Sequence, residues 1–148
     1  MSAGYSGTPL PKKLGIKEEA RLVIVGDVPG DFDRTLGRLP AGVEVRRRTQ
    51  GRADVIVCFV TRKAQLTRRF PALKRTLEPH GGGLWIAWPK RASGVPTDMS
   101  EDVVREIALP GGLVDNKVCA IDETWSGLRL VYRVSDRRVA DRPRRKGA

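Results

Sequence analysis

Histidine and cysteine are scarce in this sequence. His80 is the single histidine among 148 residues, and Cys58 and Cys119 are the only two cysteines. One imidazole is too few for a histidine-based metal site, so no metal is expected. Both cysteines lie inside apolar segments and neither belongs to a Cys-x-x-Cys pair. This pattern favours buried, reduced thiols over a disulfide or a redox site.

Long apolar runs are missing as well. No stretch approaches the ~18 apolar residues that a membrane helix needs, and the N-terminus lacks the apolar core of a signal peptide. We therefore expect a soluble, cytoplasmic protein with no membrane partner. Aromatic residues make up 5% of the chain, which is too few for the stacking platform typical of proteins that bind single-stranded nucleic acids.

Residues 81–90, with the sequence GGGLWIAWPK, organise the rest of the chain. A glycine run leads into five apolar residues, and Pro89 and Lys90 follow them. A short apolar run that is bounded by Gly and Pro and rich in aromatic and branched residues is typical of a strand buried on both faces of a parallel sheet. Lys90 then emerges at the carboxyl end of that strand, where open α/β sheets bind ligands.

Apolar periodicity and turn residues predict six strands and three helices in all. The predicted strands cover residues 21–26, 43–46, 53–60, 83–88, 114–121 and 128–134, and the predicted helices cover residues 31–39, 62–77 and 98–109. Pro71 lies inside the second helix and predicts a kink or a restart there, because proline removes a backbone donor. The turn at residues 122–127 is too short for a parallel crossover, so the last two strands must be antiparallel neighbours.

This alternation of elements predicts an α/β fold with three layers. The sheet is expected to be mostly parallel and Rossmann-like, with helices on both faces and an antiparallel hairpin at its end. A chain of 148 residues suits one domain. We divide it into an irregular N-terminal arm at residues 1–13, a single α/β domain at 14–135 and a basic, disordered tail at 136–148.

Two passages resemble class I methyltransferases. LEPHGGGLWIAWPK, at residues 77–90, is similar to a helix–glycine–strand passage of that superfamily, and ADVIVCFV, at residues 53–60, is similar to the strand before it. A closing hairpin with one reversed strand is also a feature of the superfamily. The resemblance implies a truncated methyltransferase-like sheet with the strand order second, first, third, fourth, sixth, fifth, in which the sixth strand is antiparallel to the others.

The sequence departs from that superfamily where the superfamily binds S-adenosylmethionine. The resemblance implies a glycine-dense, acidic turn after the first strand and an acidic ribose ligand at the end of the second. Here the first turn is GDVPG, at residues 26–30, and residues 46–48 at the end of the second strand are three arginines. These departures argue against a bound cofactor, and none is predicted.

Longer strings resemble a family of small actinobacterial proteins of unknown function. They are AGYSGTPLPKKLGIK at residues 3–17, LWIAWPKRASGVPTD at residues 84–98 and GLVDNKVCAIDETWSGLRLVYR at residues 112–133. Together with the segments between them, these strings span nearly the whole chain. The resemblance implies membership of a domain-of-unknown-function family and brings no activity with it.

The residues that follow the strands are expected to meet at one edge, because the carboxyl ends of parallel strands share an edge. This edge collects six candidate ligand-binding residues, which are Asp27, Lys90, Ser93, Asp122, Glu123 and Trp125. Together they would form a pocket with a cation, carboxylates and an aromatic wall. The alternative is that Asp122 and Glu123 merely turn the hairpin and that Lys90 is a solvated loop cation.

No catalytic residue is predicted. Asp122 and Glu123 are adjacent, and neighbouring side chains diverge on an extended chain, while His80 precedes a strand and so lies at the opposite edge. Lysine and arginine number 28 against 17 acidic residues, a net charge of +11. We interpret the chain as a non-catalytic α/β module that binds a small anionic ligand or a protein partner at its carboxyl edge. Two alternatives stay open: sequence-independent nucleic-acid binding through the basic surface and tail, and a divergent S-adenosylmethionine-dependent methyltransferase.

Overall fold

A six-stranded sheet forms the centre of the protein. The computed structural model describes the backbone of residues 7–141 and the side chains of residues 7–137. The strands are β1 (Arg21–Gly26), β2 (Glu44–Arg46), β3 (Val55–Phe59), β4 (Gly83–Pro89), β5 (Leu113–Ala120) and β6 (Trp125–Tyr132). They lie in the order β2-β1-β3-β4-β6-β5, in which β6 is antiparallel to both of its neighbours and the other pairs are parallel. The predicted fold class and strand order are confirmed.

Helices cover both faces of this sheet. The helices are α1 (Leu10–Leu14), α2 (Phe32–Leu36), α3 (Lys63–Thr76), α4 (Glu101–Ala108) and α5 (Val134–Asp141), and a 3-10 turn spans Arg91–Ser93. Apolar residues of α1 and α2 pack on one face, and those of α3 and α4 pack on the other, which gives the three layers. None of the helices in the described part of the chain is long and apolar enough to cross a membrane.

Strand β4 lies in the middle of these layers, and all seven of its residues are buried. Its side chains alternate between the faces, so that Trp85 packs with α1 and α2 while Trp88 packs with α3 and α4. Gly82, directly before this strand, allows a close approach between two segments of the backbone. A Cβ built on Gly82 would lie 2.3 Å from the carbonyl oxygen of Glu78, so a larger residue there would displace the chain as it enters the strand.

Helices form near both ends of the described chain, where the sequence predicts irregular structure. Within the predicted arm, Leu10–Leu14 form α1, whose two leucines are buried. The predicted tail begins at residue 136, yet α5 continues to Asp141, and residues 142–148 lie outside the described residues. The structure therefore differs from the prediction over residues 10–13 and 136–141. Helix α1 is a single buried turn, which leaves no periodic signal in the sequence. Helix α5 begins at the exposed Val134, and its sequence has no apolar stripe. The division into domains stays a prediction.

Two predicted details inside the domain also differ. Helix α3 runs from Lys63 to Thr76 with Pro71 inside it, so the predicted restart at the proline does not occur, while the alternative of a kink stays a prediction. The turn between β5 and β6 spans residues 121–124 and is shorter than predicted, because β6 already begins at Trp125. Asp122 closes this turn through its Oδ1 atom, which accepts hydrogen bonds from the backbone N–H groups of Thr124 and Trp125, both over 2.8 Å.

Candidate functional site

The carboxyl ends of the three parallel central strands share one edge of the sheet. From β1 the chain crosses to β2 on one side, and it later continues to β3 on the other side. The strand order therefore reverses between β1 and β3. Such a reversal opens a crevice outside the carboxyl ends of the strands, which is where open α/β sheets bind ligands. This edge is the candidate site.

The turn after β1 packs directly on the end of β3. Gly26 has a φ of 92°, and a Cβ built on it would lie 2.1 Å from the carbonyl oxygen of Phe59. Side chains other than glycine rarely adopt this backbone conformation. The same oxygen accepts a hydrogen bond from the N–H of Asp27 over 2.8 Å. Glycine is therefore required at position 26, and the turn is fixed to the floor of the crevice.

Asp27, one of the six predicted site residues, reaches toward α3. Its Oδ2 atom accepts a hydrogen bond from Nε2 of Gln65 over 2.9 Å and a longer one from Oγ1 of Thr61 over 3.4 Å. Gln65 in turn accepts hydrogen bonds from the backbone N–H groups of Thr61 and Arg62, over 2.8 and 3.0 Å. The Asp27 carboxylate therefore ties the first turn to the start of α3.

Lys90, Ser93 and Asp122 come together beyond β4. The Nζ atom of Lys90 donates to the carbonyl oxygen of Asp122 over 2.8 Å, and its backbone N–H donates to the carbonyl oxygen of Thr124 over 2.7 Å. Ser93 donates from Oγ to the carbonyl oxygen of Lys90 over 2.6 Å. Lys90 is half-buried. It joins the loop after β4 to the β5–β6 turn and is not a solvated loop cation.

The remaining predicted residues belong to the turn and to the core. The Oδ1 atom of Asp122 is bonded within its own turn, and Glu123 is exposed beside it. Trp125 is buried, with its ring edge-on to that of Phe59 at a centroid distance of 5.0 Å. Trp125 is therefore part of the core instead of a pocket wall. The six predicted residues fall into separate groups and do not line a single pocket.

A cavity of about 500 Å³ lies beyond β4. Its lining includes Trp88, Lys90, Arg91, Thr97, Ser100 and Ser126. The Oγ1 atom of Thr97 donates to the carbonyl oxygen of Thr61 over 2.6 Å, which holds the loop before α4 against the end of β3. Glu101 also lines it, so the cavity has one aromatic wall, two cations, one carboxylate and three hydroxyl groups.

A second cavity, of about 430 Å³, lies beyond the ends of β1 and β2 and is markedly basic. Arg47 and Arg48 after β2 and Arg69 from α3 line it, together with Gly26 and other residues of the edge. Arg47 forms an ion pair with Asp33 over 3.0 Å. Within residues 7–137, neither Arg48 nor Arg69 forms an ion pair with a carboxylate. Both are exposed, so their charges are available to an anion in this cavity.

This arginine group was not predicted as a site, although part of its signal is visible in the sequence. The arginine run at residues 46–48 directly follows a predicted strand, so it had to lie at the carboxyl edge. Arg69 gave no such signal, because basic residues spread around most of the circumference of α3. Only the packing of α3 beside β1 shows which of them faces the crevice.

No family model matches the sequence, and no curated protein matches it either. Solved structures do match. A SAM-dependent methyltransferase from Aquifex aeolicus is 17% identical, with a TM-score of 0.56, over 86% of this chain and 89% of that one. A putative type 11 methyltransferase from Sulfolobus solfataricus is 14% identical, with a TM-score of 0.63, over 91% and 96%. Magnesium protoporphyrin IX methyltransferase from Synechocystis, solved with bound SAM, is 10% identical, with a TM-score of 0.52, over 84% and 74%.

The fold is that of the SAM-dependent methyltransferases. The predicted methyltransferase-like sheet is thereby confirmed, with its mostly parallel strands and its antiparallel β6. Identities of 10–17% show a common fold and carry no statement about activity. The resemblance to the small actinobacterial family stays a prediction.

The basic cavity does not fit S-adenosylmethionine. That molecule carries a cationic sulfonium, and the resemblance implies an acidic ribose ligand at the end of the second strand. Here β2 ends at Arg46, whose Nε atom lies 2.7 Å from Oε2 of Glu44, and the next two arginines line the cavity. A cavity lined by cations attracts anions and repels a sulfonium. The cavity therefore lacks the acidic group that the resemblance implies at the end of the second strand.

Proposed function

We propose that this protein binds a small anionic ligand in the basic cavity beyond β1 and β2. The observation that carries this proposal is the arginine lining, in which Arg48 and Arg69 have no carboxylate partner within residues 7–137. A guanidinium group presents a planar fork of N–H donors that matches carboxylate and phosphate oxygens. The position at the reversal of strand order supports the proposal, because ligands of open α/β sheets bind there.

The proposed binding is not catalytic. Of the described residues that line this cavity, Thr49 has a hydroxyl group, three are arginines, and the others are apolar or glycine. A general base needs a carboxylate, an imidazole or a similar group within hydrogen-bond reach of the reacting proton. The lining supplies no such group. It can bind and orient an anion, and its charge would stabilise the bound form.

A divergent SAM-dependent methyltransferase is the second candidate. The fold likeness favours it over a non-catalytic module, since the structural neighbours carry methyltransferase names. The charge of the basic cavity favours an anion. The two candidates therefore rest on different observations, and a ligand screen separates them.

The test is a thermal-shift screen of the full chain at low ionic strength. The probes are inorganic phosphate, pyrophosphate, AMP, ATP, S-adenosylmethionine, S-adenosylhomocysteine and duplex DNA. Anionic probes are expected to raise the Tm, because a ligand that binds only the folded state stabilises it by mass action. Arg48→Ala and Arg69→Ala should each weaken the binding. Arg68→Ala is the matched control, since Arg68 is an exposed neighbour on α3 that does not line the cavity.

Four outcomes would contradict the anion proposal. If S-adenosylhomocysteine stabilises the protein and the phosphates do not, the methyltransferase candidate is favoured. If Arg68→Ala weakens binding as much as Arg69→Ala, the effect is one of overall charge. If only DNA binds, with a steep loss of affinity on adding salt, the protein is a sequence-independent nucleic-acid binder. Failure of every probe would favour the protein-partner form of the prediction.

A further inference from the structure

A small basic cavity lies on the α1 face of the sheet, away from the carboxyl-edge crevice. Its volume is about 220 Å³, and the C-terminal end of α1 and the β5–β6 hairpin enclose it. Its polar lining consists of Lys12, Lys13, Asn116, Lys117 and Arg129. Arg129 pairs with Trp85 in the middle of the sheet, and Trp85 packs with α1 and α2. Four cations and an amide therefore meet on one face of the sheet.

Arg129 is the central residue of this cavity. It is half-buried, and its side chain reaches only neutral oxygens, namely Oδ1 of Asn116 over 3.4 Å and the carbonyl oxygen of Gly81 over 3.5 Å. Within residues 7–137 it forms no ion pair with a carboxylate. Burial lowers the pKa of Arg129, and no neighbouring acid raises it. A half-buried guanidinium has lost hydration, and two long hydrogen bonds to neutral oxygens replace that hydration only in part.

The backbone around Arg129 makes room for this side chain. A Cβ built on Gly83 would lie 2.3 Å from its Nε atom, so the glycine at the start of β4 leaves the space that the guanidinium occupies. Several other arginines lie beside acids, as Arg21 does with Asp54 over 3.0 Å. The sheet thus provides space for the Arg129 side chain, but the described residues provide no carboxylate beside it.

A bulge in β5 brings two further groups to the same cavity. The β5–β6 register shifts between Asp115 and Lys117, which leaves Asn116 as the extra residue. Asn116 accepts from Arg129 through Oδ1, and Nζ of Lys117 reaches the carbonyl oxygen of Lys13 over 3.4 Å. Bulges commonly re-aim side chains next to binding sites. Here the bulge lets consecutive residues both face the cavity.

The two lysines of α1 complete the cavity. Nζ of Lys13 donates to the carbonyl oxygen of Ala120 over 2.9 Å, which fixes α1 to the end of β5, and Lys12 is exposed beside it. No carboxylate is among the lining residues that the structure describes. Residues 1–6, which precede the described chain, contain no aspartate or glutamate.

We propose that this cavity binds the phosphate group of a small-molecule ligand. A phosphate carries up to two negative charges and several acceptor oxygens, which matches the fork of Arg129 together with the ammonium groups of Lys12 and Lys117. The amide N–H₂ of Asn116 supplies a neutral donor. A cavity of about 220 Å³ admits a phosphate or pyrophosphate group. The site is separate from the basic cavity beyond β1 and β2 and does not depend on the function proposed there.

The test is an NMR titration of the ¹⁵N-labelled full chain at low ionic strength, with inorganic phosphate, pyrophosphate and AMP as separate probes. Saturable shifts of the backbone amide signals of Asn116, Lys117 and Arg129 are expected. Arg129→Gln should raise the Kd at least about tenfold, since it removes a charge-assisted, two-pronged contact. Lys117→Gln should raise it about threefold, and because Lys117 is exposed this variant is expected to fold even if Arg129→Gln does not. Tighter binding of AMP than of phosphate would identify a nucleotide as the source of the phosphate.

A control variant makes the result specific to this cavity. Arg68→Ala removes a charge from an exposed position on α3 and should leave these shifts and the Kd unchanged. The proposal is overturned if no probe gives saturable shifts at the three residues or if Lys117→Gln binds as tightly as the unmodified chain. It is equally overturned if Arg68→Ala weakens binding as much as Lys117→Gln, or if duplex DNA binds while none of the three probes does.

Discussion

The indole N–H of Trp85 donates a hydrogen bond to the carbonyl oxygen of Leu14 over 3.0 Å, across 71 positions of the sequence. Both residues are fully buried. The bond joins the central strand β4 to the last residue of α1. A helix of five residues has no stability of its own in water, so α1 depends on this bond and on the burial of its leucines.

Trp85→Phe is therefore expected to destabilise the protein by roughly 1–3 kcal/mol beyond the loss of ring volume, because the carbonyl oxygen of Leu14 would be buried without a donor. Urea denaturation followed by circular dichroism gives the free energy of unfolding. Trp88→Phe is the matched control, since the Trp88 indole makes no hydrogen bond within residues 7–137. Equal losses in the two variants would show that the bond contributes nothing.

Gly26→Ala tests the turn on which the crevice rests. The positive φ and the contact of 2.1 Å with the carbonyl oxygen of Phe59 both oppose a Cβ there. A left-handed conformation alone costs ~1–2 kcal/mol, so the free energy of unfolding should fall by more than that. Gly30→Ala, four residues on, meets nothing within 4 Å. It should be neutral or slightly stabilising in the same urea titration, and a similar loss in both variants would contradict the assignment.

The fold was predictable because the strands that define it are unambiguous in sequence. β3 and β4 are short, wholly apolar and bounded by turn residues, and every residue in both is buried. The antiparallel hairpin followed from a turn too short for any other connection. Helix α1 was missed because its stability comes from Trp85, a partner that no local pattern reveals. The contact between α1 and Trp85 depends on tertiary packing, which local sequence patterns do not predict.

The candidate site was less predictable than the fold. The shared edge could be predicted from the parallel strands, but which side chains face the crevice could not. Trp125 pairs with the last residue of β4, Pro89, and this register turns its ring into the core. Lys90 bonds to a backbone oxygen of the next loop, a contact that exists only once both loops are placed. Residue type and position along the chain were insufficient to predict either orientation.

Asp54→Asn should make stability less dependent on acid pH. The Asp54 carboxylate accepts hydrogen bonds from the backbone N–H, Nε and Nη2 of Arg21, over 2.8, 3.1 and 3.0 Å. The bonds from the Arg21 side chain hold the pKa of Asp54 below its ordinary value. The unfolded carboxylate therefore takes up a proton at higher pH than the folded one, so stability present at neutral pH is lost as pH falls below ~4. The variant should be less stable by about 1 kcal/mol at pH 7, because the pair is partly exposed.

This difference between the variant and the unmodified protein should shrink in urea titrations at pH 3, because the unfolded carboxylate is then largely protonated while the folded one is still paired and ionised. Asp33→Asn is the control, because Asp33 and its partner Arg47 are both more than half exposed, and it should change stability little at either pH. A loss for Asp54→Asn that is the same at pH 7 and pH 3 would assign the effect to packing instead of charge.

The two cysteines should differ in reactivity toward iodoacetamide. Both are free, as the sequence predicts. Burial raises the pKa of Cys58 to about 12, while Cys119 is only partly buried and its pKa is raised less far. In native protein at pH 8.5, mass spectrometry of alkylated peptides should find Cys119 modified well before Cys58. The pKa of Cys58 is higher in the folded protein than in the unfolded chain, so the unfolded chain releases this proton first as pH rises. The free energy of unfolding should therefore fall as pH rises beyond ~9. Equal labelling of both thiols in native protein would contradict the burial of Cys58.

The bulge in β5 also affects how readily the open edge of the sheet can pair with a second chain. An open edge strand offers unpaired N–H and C=O groups on which a second chain can polymerise. At one rim, β2 is only three residues long. At the other edge, β5 has eight residues and exposes Val118. A regular strand of this length with an exposed apolar residue would favour pairing with another chain. Because Asn116 breaks its regular spacing, we expect the strand to be a poor template for a second chain, since a bulge disrupts regular pairing at an edge.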